Sequence, residues 1–215
     1  MTLKINEIFY SIQGESTYAG RPCVFVRLTG CNLRCAYCDT SYAYTEGTTM
    51  ETWDVINEVS KFECSLVEIT GGEPLLQDET SGLITLLLDS GYEVLLETNG
   101  SKNIGTVDKR CVIIMDIKCP SSGEDSNNDL DNLKRLTPGD ELKFVIADRK
   151  DYDFAKDILP LIPDDKKPEV PVHFSPCFGK MNAKELAGWI LEDNLDVRLH
   201  LQLHKYIWPA DMRGV

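Results

Sequence analysis

Three cysteines sit within eight residues of one another: Cys31, Cys35 and Cys38, in the run Cys31-Asn32-Leu33-Arg34-Cys35-Ala36-Tyr37-Cys38. They follow directly on an apolar, strand-like stretch. A loop this tight can turn three thiolates toward one point, as an iron–sulfur cluster or a soft metal ion requires. The count of three is informative. A structural zinc site takes four protein ligands and closes the metal off, whereas a four-iron cluster held by three cysteines leaves one iron open to a small molecule. Unliganded cysteines also serve as small hydrophobes, but Asn32, Arg34 and Asp39 make a poor core segment. We therefore read the three thiols as ligands.

Such a loop needs a frame, and the chain supplies alternating apolar runs and amphipathic stretches. Residues 3–18 read as an N-terminal strand or hairpin. Residues 23–28 form a β-branched and aromatic strand that ends at Thr29-Gly30, immediately before the cysteines. Residues 52–59 have helical spacing, with Trp53, Ile56 and Val59 as the apolar face. Strands are expected at 66–70, 92–97, 111–117, 142–147 and 170–174, and helices at 81–90, 152–161 and 183–191. Pro160 and Pro163 end the second of those helices. Strict alternation over 197–203 predicts a last strand. Strand–helix alternation implies right-handed crossovers and a parallel sheet in one domain, residues 1–215. About six repeats are too few for an eight-unit barrel, leaving a partial, open barrel or a doubly wound sheet. Such sheets keep their chemistry at the C-terminal ends of strands. The cysteine loop, Gly71-Gly72-Glu73-Pro74, Glu97-Thr98-Asn99, Asp116-Ile117-Lys118 and Ser175-Pro176 all fall there.

Composition narrows the function. A chain of 215 residues, 42% apolar and 27% charged, is an ordinary globule. A net charge of −13 argues against binding a nucleic-acid backbone. No apolar run approaches a membrane span, and the N-terminus lacks a signal-peptide pattern, so a cytoplasmic, reducing location is expected. There the remaining five of the eight cysteines read as structural thiols, with Cys119 alone close to the active rim. The acidic run 124–131 reads as a solvated loop, and Asn99-Gly100-Ser101 as a turn.

The motifs carry a resemblance. Cys-x3-Cys-x2-Cys with Tyr37 before the last cysteine, followed by Gly71-Gly72-Glu73-Pro74, resembles the radical S-adenosylmethionine superfamily. Ser11-Ile12-Gln13-Gly14-Glu15-Ser16, Phe25-Val26-Arg27-Leu28-Thr29-Gly30-Cys31-Asn32-Leu33, Cys38-Asp39-Thr40 and Leu201-Gln202-Leu203-His204-Lys205 resemble its 7-carboxy-7-deazaguanine synthase family. The resemblance implies a partial, open (β/α)6-type barrel with an N-terminal hairpin extension. It implies a [4Fe-4S] cluster on Cys31, Cys35 and Cys38, S-adenosylmethionine on the open iron, and a magnesium ion on Thr40. Cofactor contacts are implied at Ala36, Tyr37, Asp39, Gly72 and Glu73. They are implied also at Asp116, Ile117 and Lys118, where Ser-Pro-Lys is the expected triplet, and at Ser175, Pro176, Cys177 and Phe178. Contacts to a pterin substrate are implied at Ile12, Gln13, Gly14, Glu15, Arg27, Thr70 and His204. A flavodoxin- or ferredoxin-type reductant and a homodimer belong to the same expectation.

Plainer readings exist for several of these residues. Arg27 would pair with an acid at the sheet edge, and Thr40 would cap a turn. His200 and His204 would share a strand face as ordinary rim residues. Trp53 and Trp189 read as helix-face core and Trp208 as a tail anchor. Two other functions compete: a glycyl-radical enzyme activase of the same superfamily, and a non-enzymatic zinc module built on the three cysteines and a histidine.

Overall fold

One nine-stranded sheet runs through the whole molecule, in the order β3-β1-β2-β4-β5-β6-β7-β8-β9. The computed structural model describes residues 1–167 and 169–215. Strand β1 (Thr2–Ile12) folds back on β2 (Pro22–Leu28) as an antiparallel hairpin, and β3 (Thr48–Glu51) pairs antiparallel along its outer side. From β2 onward the pairing is parallel, through β4 (Leu66–Gly71), β5 (Glu93–Thr98), β6 (Val112–Ile117), β7 (Glu141–Ile146), β8 (Val172–Pro176) and the two-residue β9 (Arg198–Leu199). The sheet ends at β3 and β9 without closing. It is the expected partial, open (β/α)6-type barrel with its N-terminal hairpin.

Helices α1 (Thr52–Val59), α2 (Thr80–Asp89), the single turn α3 (Asn132–Arg135), α4 (Arg149–Ile158) and α5 (Ala183–Glu192) lie in the crossovers. Between β5 and β6 there is only the 3-10 turn Ile104–Thr106. The strand residues that face the helices are apolar on alternate positions: Val67 and Ile69, Val94 and Leu96, Leu142 and Phe144, Val172 and Phe174. Their neighbours point to the opposite, inner face, because side chains alternate along a strand.

Two elements differ from the sequence-based expectation. In α1 the buried arc is Thr52, Val55, Ile56 and Val59, and Trp53 is 62% exposed. At about 100° per residue Trp53 lies off that arc, so the spacing of three that linked it to Ile56 selected the wrong flank. The strand expected over 197–203 stops at Leu199. Gln202 donates to Glu15 at 2.9 Å and the Leu203 N–H donates to the Gly14 carbonyl at 2.9 Å. These contacts draw the chain away from β8 and across the strand ends, into the short helix α6 (His204–Ile207). Only residues 198–199 of the alternating run pair in the sheet, and its apolar positions Leu199 and Leu201 are 40% and 39% exposed, so the alternation marks no buried strand face. His200 and His204 consequently share no strand face. No helix among the described residues is long and apolar enough to cross a membrane.

Candidate active site

The inner face of the sheet is layered. Cys23, Phe25, Leu66, Leu95 and Ile114 form a small apolar plug. Above it, toward the C-terminal strand ends, opens a cavity of about 500 Å³ walled by polar side chains and the cysteine loop.

The three thiols are half-buried on one wall. Their loop is fixed by its backbone: the Ala36 N–H donates to the Ser122 carbonyl at 2.9 Å, and the Arg34 N–H to the Glu124 carboxylate at 2.7 Å. The Cys31 sulfur accepts from the Leu33 N–H at 3.4 Å and faces the Asn99 amide nitrogen at 3.8 Å. Burial raises the Cys31 and Cys35 thiols above their ordinary value, so a group binding there displaces protons. Gly71 and Gly72 let this wall close. Gly71 has φ 151°, and a Cβ there would lie 2.3 Å from the Leu28 oxygen; a Cβ on Gly72 would lie 2.2 Å from the Gly30 oxygen and 2.7 Å from the Cys31 Cβ. Among the described residues no three His, Cys, Asp or Glu side chains are gathered as one mononuclear ion would need. Two lining residues, Tyr37 and Asp116, each carry a sealed polar atom, the hydroxyl and Oδ1, that has no partner among the described residues. An open three-thiol rim on a cavity also lined by Asp39, Thr40, Asp116 and Lys118 fits a cluster that binds a further polar molecule.

The opposite wall is charged. Lys143, in mid-strand on β7, contacts the Glu15 carboxylate at 2.6 Å, the Glu97 carboxylate, and Asp116 at 3.9 Å. Asp116 pairs with Lys118 at 2.7 Å, so one chain of charge runs from the 13–15 loop to the cysteine loop. Burial alone would raise the Glu15 carboxyl, but the Lys143 ammonium and hydrogen bonds from Lys143 and Gln202 outweigh it and hold Glu15 well below the carboxylate range. Thr70 donates to Glu97 at 3.1 Å. Arg27 gives its Nε to Glu7 at 2.8 Å, and Tyr42 donates to the same oxygen at 2.9 Å. The acid pairing read as the plainer alternative for Arg27 is thus present, yet among the described residues its terminal nitrogens donate to no protein group, and Arg27 lines the cavity. Thr40 precedes the 3-10 turn Ser41–Tyr44 without capping it; its hydroxyl instead meets Asp39 at 3.1 Å.

Of the residues the sequence singled out, Ile12, Gln13, Gly14, Glu15, Arg27, Thr70 and His204 line this cavity. So do Cys31, Cys35, Tyr37, Cys38, Asp39, Thr40, Gly72, Asp116, Lys118, Cys177 and Phe178. Five others stand outside it. Ala36 lies on the exposed side of the loop, and Ile117 and Ser175 are buried in the sheet. Pro176 faces a smaller neighbouring cavity of about 150 Å³. Glu73 is fully buried, its carboxylate taken up by the Leu75 and Asn99 N–H groups at 2.9 and 2.7 Å and the Thr98 hydroxyl at 2.8 Å. It ties the ends of β4 and β5 together and leaves nothing for a ligand. The run 124–131, read as a solvated loop, also props the site: Asn128 clamps the Lys118 backbone through two bonds of 2.9 Å.

Residues 25–110 match the radical SAM superfamily. A 7-carboxy-7-deazaguanine synthase of Koribacter versatilis (strain Ellin345) is 47% identical over 227 residues, covering 99% of this chain and all of the relative. That of Chlorobaculum tepidum is 46% identical over 216 residues, covering 99% and 97%. The chain belongs to the 7-carboxy-7-deazaguanine synthase family. The crystal structure of QueE from Escherichia coli has the same fold, with a TM-score of 0.78 at 24% identity over 95% of both chains.

For this family member the sequence reading passed over Glu68, Lys143, Gln202 and Lys205, all of which line the cavity. The first two had a visible signal: a charged residue at an alternate position inside an otherwise apolar strand, the same signal that marked Arg27. The other two lie in the Leu201–Lys205 motif, where the resemblance implies a contact at His204 alone; the redirected C-terminal segment brings them in. Lys205 meets Asp39 at 2.5 Å beside the cysteine loop.

Proposed function

We propose that this radical SAM enzyme is a 7-carboxy-7-deazaguanine synthase. It converts 6-carboxy-5,6,7,8-tetrahydropterin to 7-carboxy-7-deazaguanine by ring contraction and loss of ammonia, on the way to queuosine-type bases. One observation carries the reading. A single cavity is lined by Arg27, whose terminal nitrogens meet no protein group among the described residues, by Glu15 and Glu97, and by the three cysteines. A planar guanidinium suits a substrate carboxylate, and carboxylate acceptors suit the amino and N–H edge of a pterin.

Cys31, Cys35 and Cys38 would hold the [4Fe-4S] cluster, which with S-adenosylmethionine supplies a 5′-deoxyadenosyl radical. The chain's own residues bind and orient. Gly72 and the Tyr37–Asp39 backbone border the cofactor side; Lys118 and Asp116 stand between the two halves; Gln13, Gly14, Thr70 and His204 close around the pterin. Thr40, with Asp39 beside it, offers oxygen to a magnesium ion that the substrate carboxylate would share. An external one-electron donor of flavodoxin or ferredoxin type, a homodimer, a cytoplasmic location and a single domain of residues 1–215 complete the proposal.

The test is anaerobic incubation of reconstituted protein with S-adenosylmethionine, a strong reductant and the carboxypterin. Both 5′-deoxyadenosine and the ring-contracted base are expected. Cofactor cleavage without the base would overturn the substrate and keep the superfamily.

A further inference from the structure

Glu68 sits in the middle of β4, between Val67 and Ile69 of the helix-facing core, and is 4% exposed. Its side chain points the other way, into the cavity. Gln13 stands over it. The Glu15 N–H, which can only donate, contacts Gln13 Oε1 at 2.9 Å, so the amide nitrogen of Gln13 is the end that faces Glu68 and donates to Oε2. Oε1 of Glu68 has no protein partner among the described residues, and it is not among the sealed, unpartnered atoms. It therefore looks into the cavity.

The charges around it are uneven. Lys143 is shared by Glu15 and Glu97 and contacts Asp116, but makes no contact with Glu68. Arg27 is committed to Glu7. A buried carboxyl with two carboxylates as neighbours and no cation in contact with it favours its protonated form. Burial first, then the charges of Glu97 and Glu15, raise the Glu68 carboxyl well above its ordinary value, with the more distant Lys143 and Arg27 opposing and not overcoming them. With Oε2 occupied as an acceptor by Gln13, the O–H belongs on Oε1.

We propose that Glu68 is a substrate-binding, specificity-determining residue: Oε1 donates a hydrogen bond to an acceptor on the ring edge of the bicyclic substrate while Gln13 holds Oε2 in place. A single side chain thus adds a neutral donor beside the carboxylate acceptors Glu15 and Glu97, which lets the site select a heterocycle whose edge alternates donors and acceptors. The proposal rests on the substrate reading above.

The experiment compares Glu68→Gln and Glu68→Met in reconstituted enzyme. It measures the Kd of the oxidised, unreactive 6-carboxypterin, with iron content and substrate-free 5′-deoxyadenosine formation as controls of an intact site. Glu68→Gln keeps an acceptor for Gln13 and an N–H for the ligand, and its Kd is expected within about threefold of wild type. Glu68→Met loses both and is expected to bind about tenfold more weakly. To separate contact from mere support of Gln13, Glu68→Met is repeated in a Gln13→Met background, where a further loss of several-fold is expected. An unchanged Kd in Glu68→Met, equal losses in the Gln and Met variants, or no further loss in the double variant each overturns the proposal. Wild-type enzyme that makes no ring-contracted base overturns the substrate reading and this proposal together.

Discussion

Each central strand of the sheet carries two interleaved messages, and its two faces read them separately. Toward the helices, β4 shows Val67 and Ile69, β7 shows Leu142, Phe144 and Ile146, and β8 shows Val172 and Phe174. On the inner face the same strands show Glu68 and Thr70, Glu141 and Lys143, and His173. Both sets are buried. The outer set gains from burial, at about 25 cal/mol per Å² of apolar surface. The inner set gains little net, because desolvating charges offsets most of what pairing returns. The difference teaches that the helix-facing half supplies the stability, and that the inner half is free to be organised for binding. The apolar plug of Cys23, Phe25, Leu66, Leu95 and Ile114 lies below the polar ring and seals it from the other end.

The largest expected effect tests the outer face. Phe174 is fully buried and meets the rings of Phe144 and Tyr152 edge-on at 5.6 and 5.8 Å. Phe174→Ala is expected to remove about 3–5 kcal/mol of unfolding free energy, while product formed per folded, cluster-loaded molecule stays near wild type. Anaerobic urea denaturation with single-turnover product analysis checks both. A stable but inactive variant would mean that the two faces are not separable.

Lys143→Met tests the inner face at its charge hub. Ring-contracted product is expected to fall about a hundredfold, since Glu15 and Glu97 lose the cation that aims them. Both acids line the open cavity and keep access to water, so the stability cost is expected at about 1–2 kcal/mol, below that of Phe174→Ala. Denaturation and product yield, compared on one preparation with unchanged iron content, decide it. Equal destabilisation by the two variants would erase the distinction between the faces.

How much of this was legible in the sequence follows the same division. The outer face was: apolar runs broken by turns located nearly every strand and helix, and strand ends gathered the glycine and cysteine motifs on one rim. The inner face was legible only where a motif repeats a known pattern. Lys143 and Glu68 are single charged residues whose partners lie 128 and 55 residues away, at Glu15 and Gln13. No local spacing reports such pairs. Trp53 shows the converse: an aromatic at helical spacing that the tertiary arrangement leaves in solvent. The 197–203 segment alternates like a strand, yet Leu199 and Leu201 are exposed and the chain leaves the sheet after Leu199, so a period of two reported no buried face there.

Glu68→Gln sharpens the comparison through pH. Because burial, then Glu97 and Glu15, raise the folded carboxyl above its ordinary 4.5, the unfolded chain releases a proton that the folded chain keeps. Wild-type stability therefore declines as pH rises from the ordinary value toward the folded one. The glutamine variant lacks that decline and is expected to gain on wild type between about pH 5 and about pH 8. Urea midpoints at both values check it, and parallel curves would mean that Glu68 folds as a carboxylate.

The smallest effect comes from the inner face's other sealed group. His200 packs edge-on against His173, ring centroids 5.0 Å apart, and neither of its ring nitrogens has a partner among the described residues. Burial first, with His173 and Lys143 adding and Glu15 and Glu141 opposing, lowers its pKa from 6.5 to about 4. In that interval the unfolded chain holds a proton that the folded chain does not, so folding loses free energy as pH falls through it. His200→Phe preserves the ring and the backbone bond to Phe174 and removes the titration. It is expected to relieve about 1 kcal/mol of the acid loss at about pH 5.5. At neutral pH, where both states carry a neutral imidazole, no proton linkage separates variant from wild type. What remains there is the release of two orphaned nitrogens from a dry site, which favours the variant as well. A wild-type stability curve that is flat between about pH 6.5 and about pH 4, matched by the variant, would show that His200 finds a partner or water that lets it charge in the folded state.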